Sequence, residues 1–223
     1  SSANSKDKLN AYDEWVNSLH RSDMSFYSIA PFIKKYYPEY YSIETYPADK
    51  CVRILKVGDK WGILSNFGRT PIKVDGVTFK TSEHLFQMMK FKDRYPVERI
   101  SNNITYAGKK CYNVKKTAKS YEKEYRRDDW GSMIVDAIKF CLQTKYGQSE
   151  EFREALNESV GCYIVEDQTS FPKTTPDTWG VKPDGDNLVG PNLLGRLLME
   201  LRDSGRLEYK LPEDALDFVE YLN

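Results

Sequence analysis

The sequence predicts an α+β fold, predominantly helical, with small antiparallel β-hairpins. Three observations predict it. Apolar residues recur at helical spacing in several long segments and alternate at strand spacing only in short ones. The short alternating runs flank tight-turn residues, Gly58-Asp59-Lys60 and Asp75-Gly76. Hydrophobic residues make up 40% and aromatics 13% of the 223 residues, enough for a packed core and too much for a disordered chain.

Residues 1–8 are polar and read as disordered. Leu9, Tyr12, Trp15, Val16 and Leu19 share one helical face, which predicts a helix over 9–19. The Tyr-rich stretch 31–41 is interrupted by Pro38. Short strands are expected at 43–46 and 51–57, with 61–66 pairing back across Gly58-Asp59-Lys60. A second hairpin is expected over 72–79, because Asp75-Gly76 suits a two-residue turn. Thr81 or Ser82 then caps a helix to about residue 91. The Lys-rich segment 96–125 reads as one or two short helices with exposed faces. Asp128 or Asp129 caps a helix to about residue 146, stopped by Gly147, with Ile134, Ala137, Ile138, Cys141 and Leu142 on one side. Ser149 caps a shorter helix to 158, and 162–165 is a strand. A long connection over 167–191 follows, and loops of that length are often functional. Asn192 caps a last strong helix, LLGRLLMEL, and a short amphipathic piece lies after Leu207.

Charge and composition exclude several functions. Lys+Arg and Asp+Glu are 33 each, so bulk charge does not hold this chain on nucleic acid, although a local basic groove fits. No apolar run reaches the ~18 residues of a membrane span, and the polar start shows no leader pattern, so a cytoplasmic protein is expected. Cys51, Cys111, Cys141 and Cys162 are far apart and form no C-x-x-C, which fits a reducing compartment. His20 and His84 are the two histidines, so no zinc pattern is visible and no metal or cofactor is expected. P-loop, G-x-G-x-x-G and G-x-S-x-G motifs are absent.

Three segments hold candidate chemistry. In TSEHLFQMMKF, residues 81–91, Gln87 lies about 40° and Lys90 about −20° from Glu83 around the helix, so three polar groups share one stripe. Leu85, Met88 and Met89 face the opposite side, and Phe86 and Phe91 flank the stripe. The stripe is either a solvated face or a carboxylate, amide and amine aimed into a pocket. Trp130, preceded by Arg126 and Arg127, is either a core staple or an aromatic platform with cations for phosphate. The stretch 176–195 surrounds Trp179 with turn residues and leads into the helix start at Asn192, which could receive an anion.

In chain order, S-N-F at Ser65, Asn66 and Phe67, PIKVDGVTFKTSEHLFQMMKF at 71–91, Asp129-Trp130, Trp179-Gly180 and NLLGRLLMELR at 192–202 resemble the NADAR family, also called YbiA-like. The resemblance spans about residues 61–202. It implies a compact, mainly helical fold; around a catalytic domain over 61–205, an N-terminal extension over 1–60 and a tail with a short helix over 206–223 are expected outside the resemblance. It also implies hydrolysis of an N-glycosidic bond at a ribose. Family activities include removing ADP-ribose from guanine in nucleic acid and cleaving a phosphoribosylamino-pyrimidine intermediate of riboflavin synthesis.

Carried over by position, the family's acid falls on Glu83 and its helix lysine on Lys90. Its pocket tryptophans fall on Trp130 and Trp179, its S-N-F on Ser65, Asn66 and Phe67, and its capping asparagine on Asn192. His84, Gln87, Asp177 and Gly180 complete the expected substrate site, with Asp177 spaced more tightly to the W-G pair than the family pattern. Gly108-Lys109 is the nearest copy of a family G-R element. The expected partner is ADP-ribosylated guanine in nucleic acid, with no membrane. The alternatives are the riboflavin-intermediate N-glycosidase and a module that binds ADP-ribose without cutting it.

Overall fold

The computed structural model of the chain describes residues 28–106 and 112–223. The expected disordered start, the helix over 9–19, His20, Gly108, Lys109 and Cys111 lie outside the described residues. In chain order the elements are α1 (Ala30–Tyr36), β1 (Glu44–Pro47), β2 (Cys51–Ile54), β3 (Ile72–Val74), β4 (Val77–Phe79), α2 (Ser82–Met88), α3 (Arg94–Tyr106) and α4 (Tyr112–Tyr125). Then follow α5 (Trp130–Gln148), α6 (Glu150–Glu158), β5 (Tyr163–Glu166), β6 (Lys182–Asp184), β7 (Asn187–Gly190) and α7 (Leu193–Ser204). The mixed, mainly helical class is the one the sequence predicts. The described residues group into two compact units, 28–61 with Leu156–Gly205, and Gly62–Ala155 with Arg206–Asn223.

The first unit is built on β-structure. β7 pairs antiparallel with both β1 and β6, and Gly185 at φ 58° turns the β6–β7 hairpin. The long connection expected at 167–191 thus contains a hairpin of its own. β2 pairs with β5 in parallel register, Cys51 opposite Tyr163 and Ile54 opposite Glu166. This corrects two expectations: one pair is parallel, and 61–66 is no strand but contains a 3-10 turn at Gly62–Leu64. The reason is that the backbone of that stretch is used elsewhere, as shown below. Tyr46, Val165, Val181 and Leu188 form a small core. α7 packs on β5 so closely that a Cβ on Gly195 would sit 2.1 Å from the carbonyl oxygen of Ile164. Arg196, the next residue of α7, donates to Tyr40 O at 2.8 Å and to Ser42 and Glu44.

The second unit begins with the β3–β4 hairpin, whose Asp75 (φ 48°) and Gly76 (φ 82°) form the expected turn. Ile72, Val74 and Phe79 are buried while Lys73 and Thr78 are exposed, the alternation of a half-buried hairpin. Thr81 caps α2 by accepting from His84 N at 3.0 Å. α2 ends at Met88 rather than near residue 91, because Phe91 leaves the helix to bridge Arg126. The Lys-rich region forms two helices, α3 and α4, which pack on each other. α4 is not exposed all round: Val114, Ala118 and Glu122 form a buried stripe at i, i+4 and i+8.

α5 starts at Trp130, with Asp129 at its N-cap position, but the Asp129 carboxylate is taken by Arg127 and makes no cap bond. Gly147 does not stop α5, which runs one residue past it to Gln148. Ser149 does cap α6, accepting from Phe152 N at 3.1 Å. Among the described residues no helix is long and apolar enough to cross a membrane.

Candidate active site

In the second unit the stripe on α2 is buried, not solvated. Glu83 and Lys90 are each 6% exposed and Gln87 is 2% exposed. The three side chains form one line: Gln87 Nε2 donates to Glu83 Oε1 at 2.7 Å, and Lys90 Nζ donates to Gln87 Oε1 at 2.8 Å. The i, i+4 spacing on α2 places the first pair, and Lys90 extends the line from just past the helix end. Leu85, Met88 and Met89 are fully buried on the other side, as the periodicity requires.

α4 supplies a residue that sequence reasoning missed. Glu122 is 4% exposed, and its Oε1 lies 3.1 Å from Lys90 Nζ. The rings of Phe86 and Trp130 meet at a 52° tilt with centroids 5.2 Å apart, and the Lys90 amine lies 6.0 and 5.8 Å from their centroids. Burial lowers the Lys90 pKa, opposed by the charge and hydrogen bond of Glu122 and the charge of Glu83, and assisted by the charge of Lys115. A lysine in this state can offer a neutral amine as nucleophile or, charged, donate hydrogen bonds. Burial pushes the neighbouring Cys141 thiol well above its usual range, so reactivity here rests on carboxylate and amine.

The S-N-F loop braces this helix. Asn66 O accepts from Glu83 N at 2.9 Å, and Asn66 Oδ1 accepts from Ser82 Oγ at 2.9 Å. Ser65 Oγ accepts from Phe67 N at 3.1 Å, and Phe67 is half-buried. Beneath the loop, Lys145 of α5 is fully buried and donates to Ile63 O at 2.6 Å and Ser65 O at 3.0 Å. Those carbonyls face an amine, not a partner strand, which is why 61–66 does not pair back.

Burial lowers the Lys145 pKa to about 7. Between that value and the ordinary 10.5 the unfolded chain holds a proton that the folded chain has lost, so folding is favoured by rising pH. The stability difference between wild type and Lys145→Met is therefore expected to grow in favour of wild type from about pH 7 towards 10.5, measured by urea unfolding at several pH values. A flat difference would contradict the assignment.

His84 lies at the β4–α2 corner. Its Nδ1 accepts from Lys80 N at 3.3 Å and its ring meets the edge of Phe79 at 5.0 Å. Burial pushes its pKa to about 4, so it is neutral. Trp130 is 2% exposed, and its ring lies beside the amine. Arg127, expected to serve a phosphate, is spent on Asp129 at 2.6 Å and Asp214 at 2.6 Å. Among the described residues no group of three or more His, Cys, Asp or Glu could hold a metal ion.

The other predicted residues stand in the first unit. Asp177 Oδ1 accepts from Gln168 Nε2 at 2.6 Å and from Trp179 N at 2.8 Å, which closes the loop that carries the half-buried Trp179. Gly180 allows close packing, since a Cβ there would meet Glu166 O at 2.5 Å. Asn192 holds the N-cap position of α7 at φ 51°, but its side chain makes no cap bond. Its amide turns back to β5 instead, accepting from Glu166 N at 3.1 Å and donating to Ile164 O at 3.0 Å. The left-handed backbone turns the side chain away from the helix, and the strand's free backbone groups receive it.

Residues 55–206 match the model of the NADAR domain, and the chain belongs to the NADAR family. It is 34% identical over 164 residues to N-glycosidase YbiA of Escherichia coli (strain K12), covering 72% of this chain and 91% of that protein. It is 24% identical over 182 residues to a riboflavin biosynthesis protein of Vibrio vulnificus (strain YJ016), covering 81% of this chain and 45% of that one. The NMR structure of the E. coli protein YbiA superposes with a TM-score of 0.52 at 31% identity, covering 70% of this chain and 84% of that structure. N-glycosidase activity is therefore a property of this family.

Proposed function

We propose that this chain is an N-glycohydrolase that cleaves the ribose–base bond of ADP-ribosylated guanine, releasing ADP-ribose and restoring the base. The observation that carries this reading is the buried Glu83–Gln87–Lys90 line, a carboxylate and an amine held apart by one amide. Breaking a ribose C–N bond builds positive charge at C1′, which the Glu83 carboxylate stabilises. Lys90 supplies the nucleophile. Its neutral amine adds to C1′ of the ring-opened sugar, the guanine nitrogen leaves with a proton, and water hydrolyses the resulting Schiff base to free ADP-ribose. Ser65, Asn66 and Gln87 lend hydrogen bonds to ribose and phosphate oxygens. Lys115, Lys116, Lys119 and Lys123 lie exposed on α4, and that positive helix favours a substrate rich in phosphate.

The test is incubation of the protein with a guanine-ADP-ribosylated oligonucleotide, read by mass spectrometry. Wild type is expected to restore plain guanine and release ADP-ribose, while Glu83→Gln loses about 10²–10⁴-fold in rate. No release by wild type would sink the reading. The match to a riboflavin biosynthesis protein favours, as second reading, cleavage of a phosphoribosylamino-pyrimidine, the next substrate to supply. Tight ADP-ribose binding without turnover on either would point to a binding module.

A further inference from the structure

A second carboxylate is buried against the same amine, and the proposed reaction has so far given it no task. Among the described residues Lys90 Nζ has two side-chain acceptors, Gln87 Oε1 at 2.8 Å and Glu122 Oε1 at 3.1 Å. An amide oxygen does not take a proton from an ammonium near neutral pH; a carboxylate can. Glu83 Oε1 accepts from Gln87 Nε2, so Gln87 links that carboxylate to the amine. Glu122 Oε2 is buried and, among the described residues, has no hydrogen-bond partner, so this carboxylate has acceptor capacity to spare. Packing alone does not account for it. Val114 and Ala118 precede Glu122 on the buried stripe of α4, and an apolar residue at its place would avoid the desolvation of a charge.

We infer that Glu122 is the positioning residue and proton acceptor of Lys90. In the resting site its charge holds the ammonium beside Gln87. For attack, one proton passes from Nζ to the Glu122 carboxylate across the 3.1 Å contact, which leaves a neutral amine and a carboxylic acid. The same proton then goes to the guanine nitrogen as the C1′–N bond breaks, so charge and atoms balance and Glu122 is restored as a carboxylate. The charged and polar groups around the amine are Glu83 and Gln87 from its own segment and Glu122 and Lys115 from α4; Trp130 at the start of α5 adds its ring face. This inference rests on Lys90 acting as nucleophile in the proposed reaction.

Two readouts on the full chain test it. The first needs no substrate: the pH dependence of Lys90 acetylation by acetic anhydride, followed by peptide mass spectrometry. Glu122→Gln removes the anion, so the labelling midpoint of Lys90 is expected to fall by about 1 pH unit or more, while Glu122→Asp stays near wild type. The second is turnover of the ADP-ribosylated oligonucleotide. Glu122→Gln is expected to lose about 10²-fold or more in kcat with little change in KM, although more of its Lys90 is neutral. Glu122→Asp is expected to recover most of that loss.

An unmoved labelling midpoint would overturn the positioning role. A lowered midpoint with undiminished kcat would overturn proton acceptance. If wild type turns over no ADP-ribosylated guanine, the functional reading fails, while the labelling arm still decides whether Glu122 controls the amine. If Glu122→Gln melts before assay, both readouts pass to Glu122→Leu, which fills the buried place with an apolar side chain; its labelling midpoint and kcat are expected to fall as for Glu122→Gln, and an unmoved midpoint or an undiminished kcat there would overturn the inference.

Discussion

Lys90→Ala is expected to lose at least ~10³-fold of turnover on ADP-ribosylated guanine, because the group that bonds to C1′ is gone. The sharper comparison is Lys90→Arg. Arginine keeps the positive charge and reach and can still donate to Gln87 and Glu122, but it does not deprotonate near neutral pH. A lysine that only binds substrate would be replaced with modest loss; a nucleophile would not. Both variants are therefore expected to be inactive, and borohydride added during turnover should fix an ADP-ribose adduct on Lys90 in wild type alone. An active arginine variant, or turnover with no trapped adduct, would remove the Schiff base from the mechanism. Lys90→Ala also leaves Glu122 buried without its partner, which costs about 3–5 kcal/mol, so each activity needs a melting curve beside it.

The second large effect is on stability. Alanine for glycine inside a helix ordinarily stabilises by up to ~1 kcal/mol. At Gly195 the sign reverses, because the new Cβ would lie 2.1 Å from Ile164 O and 2.4 Å from the Asn192 side chain. Relief requires α7 to move off β5 and breaks the two Asn192 bonds to that strand. Overpacking of ~3 kcal/mol plus two buried hydrogen bonds at ~1 kcal/mol each gives a loss of roughly 4–5 kcal/mol. For a chain of this size that is a fall of about 8–20 °C in Tm, read by circular dichroism. An unchanged or raised Tm would mean that helix and strand do not approach so closely.

Much of the catalytic helix was legible in the sequence, because its signals are local. Asp75-Gly76 marks the hairpin, Thr81 marks the helix start, and the 3.6-residue period puts Glu83, Gln87 and Lys90 on one line. Glu122 was hidden by its neighbours. Four exposed lysines give α4 the composition of a solvated helix, although Val114 and Ala118, eight and four residues before Glu122, already mark an inward stripe. Lys145 was hidden for the opposite reason: it sits late in an apolar helix, where a lysine is usually read as reaching water. Asn192 was placed rightly but given the wrong bond, since residue type does not reveal a left-handed backbone. The β2–β5 pair left no trace, because parallel pairing of distant segments has no turn to announce it.

That pair also constrains how the protein is made. β2 leaves the ribosome about 110 residues before β5, a delay of roughly 5–20 s at ordinary synthesis rates. Through that interval Cys51–Ile54 is an unpaired edge, while nearly all of Gly62–Ala155 has emerged. The Lys90-bearing segment is thus made before β2 meets its partner, although 206–223 completes that unit only at the end of synthesis, and a nascent chain stalled before residue 163 exposes a strand that chaperones or other nascent chains can capture.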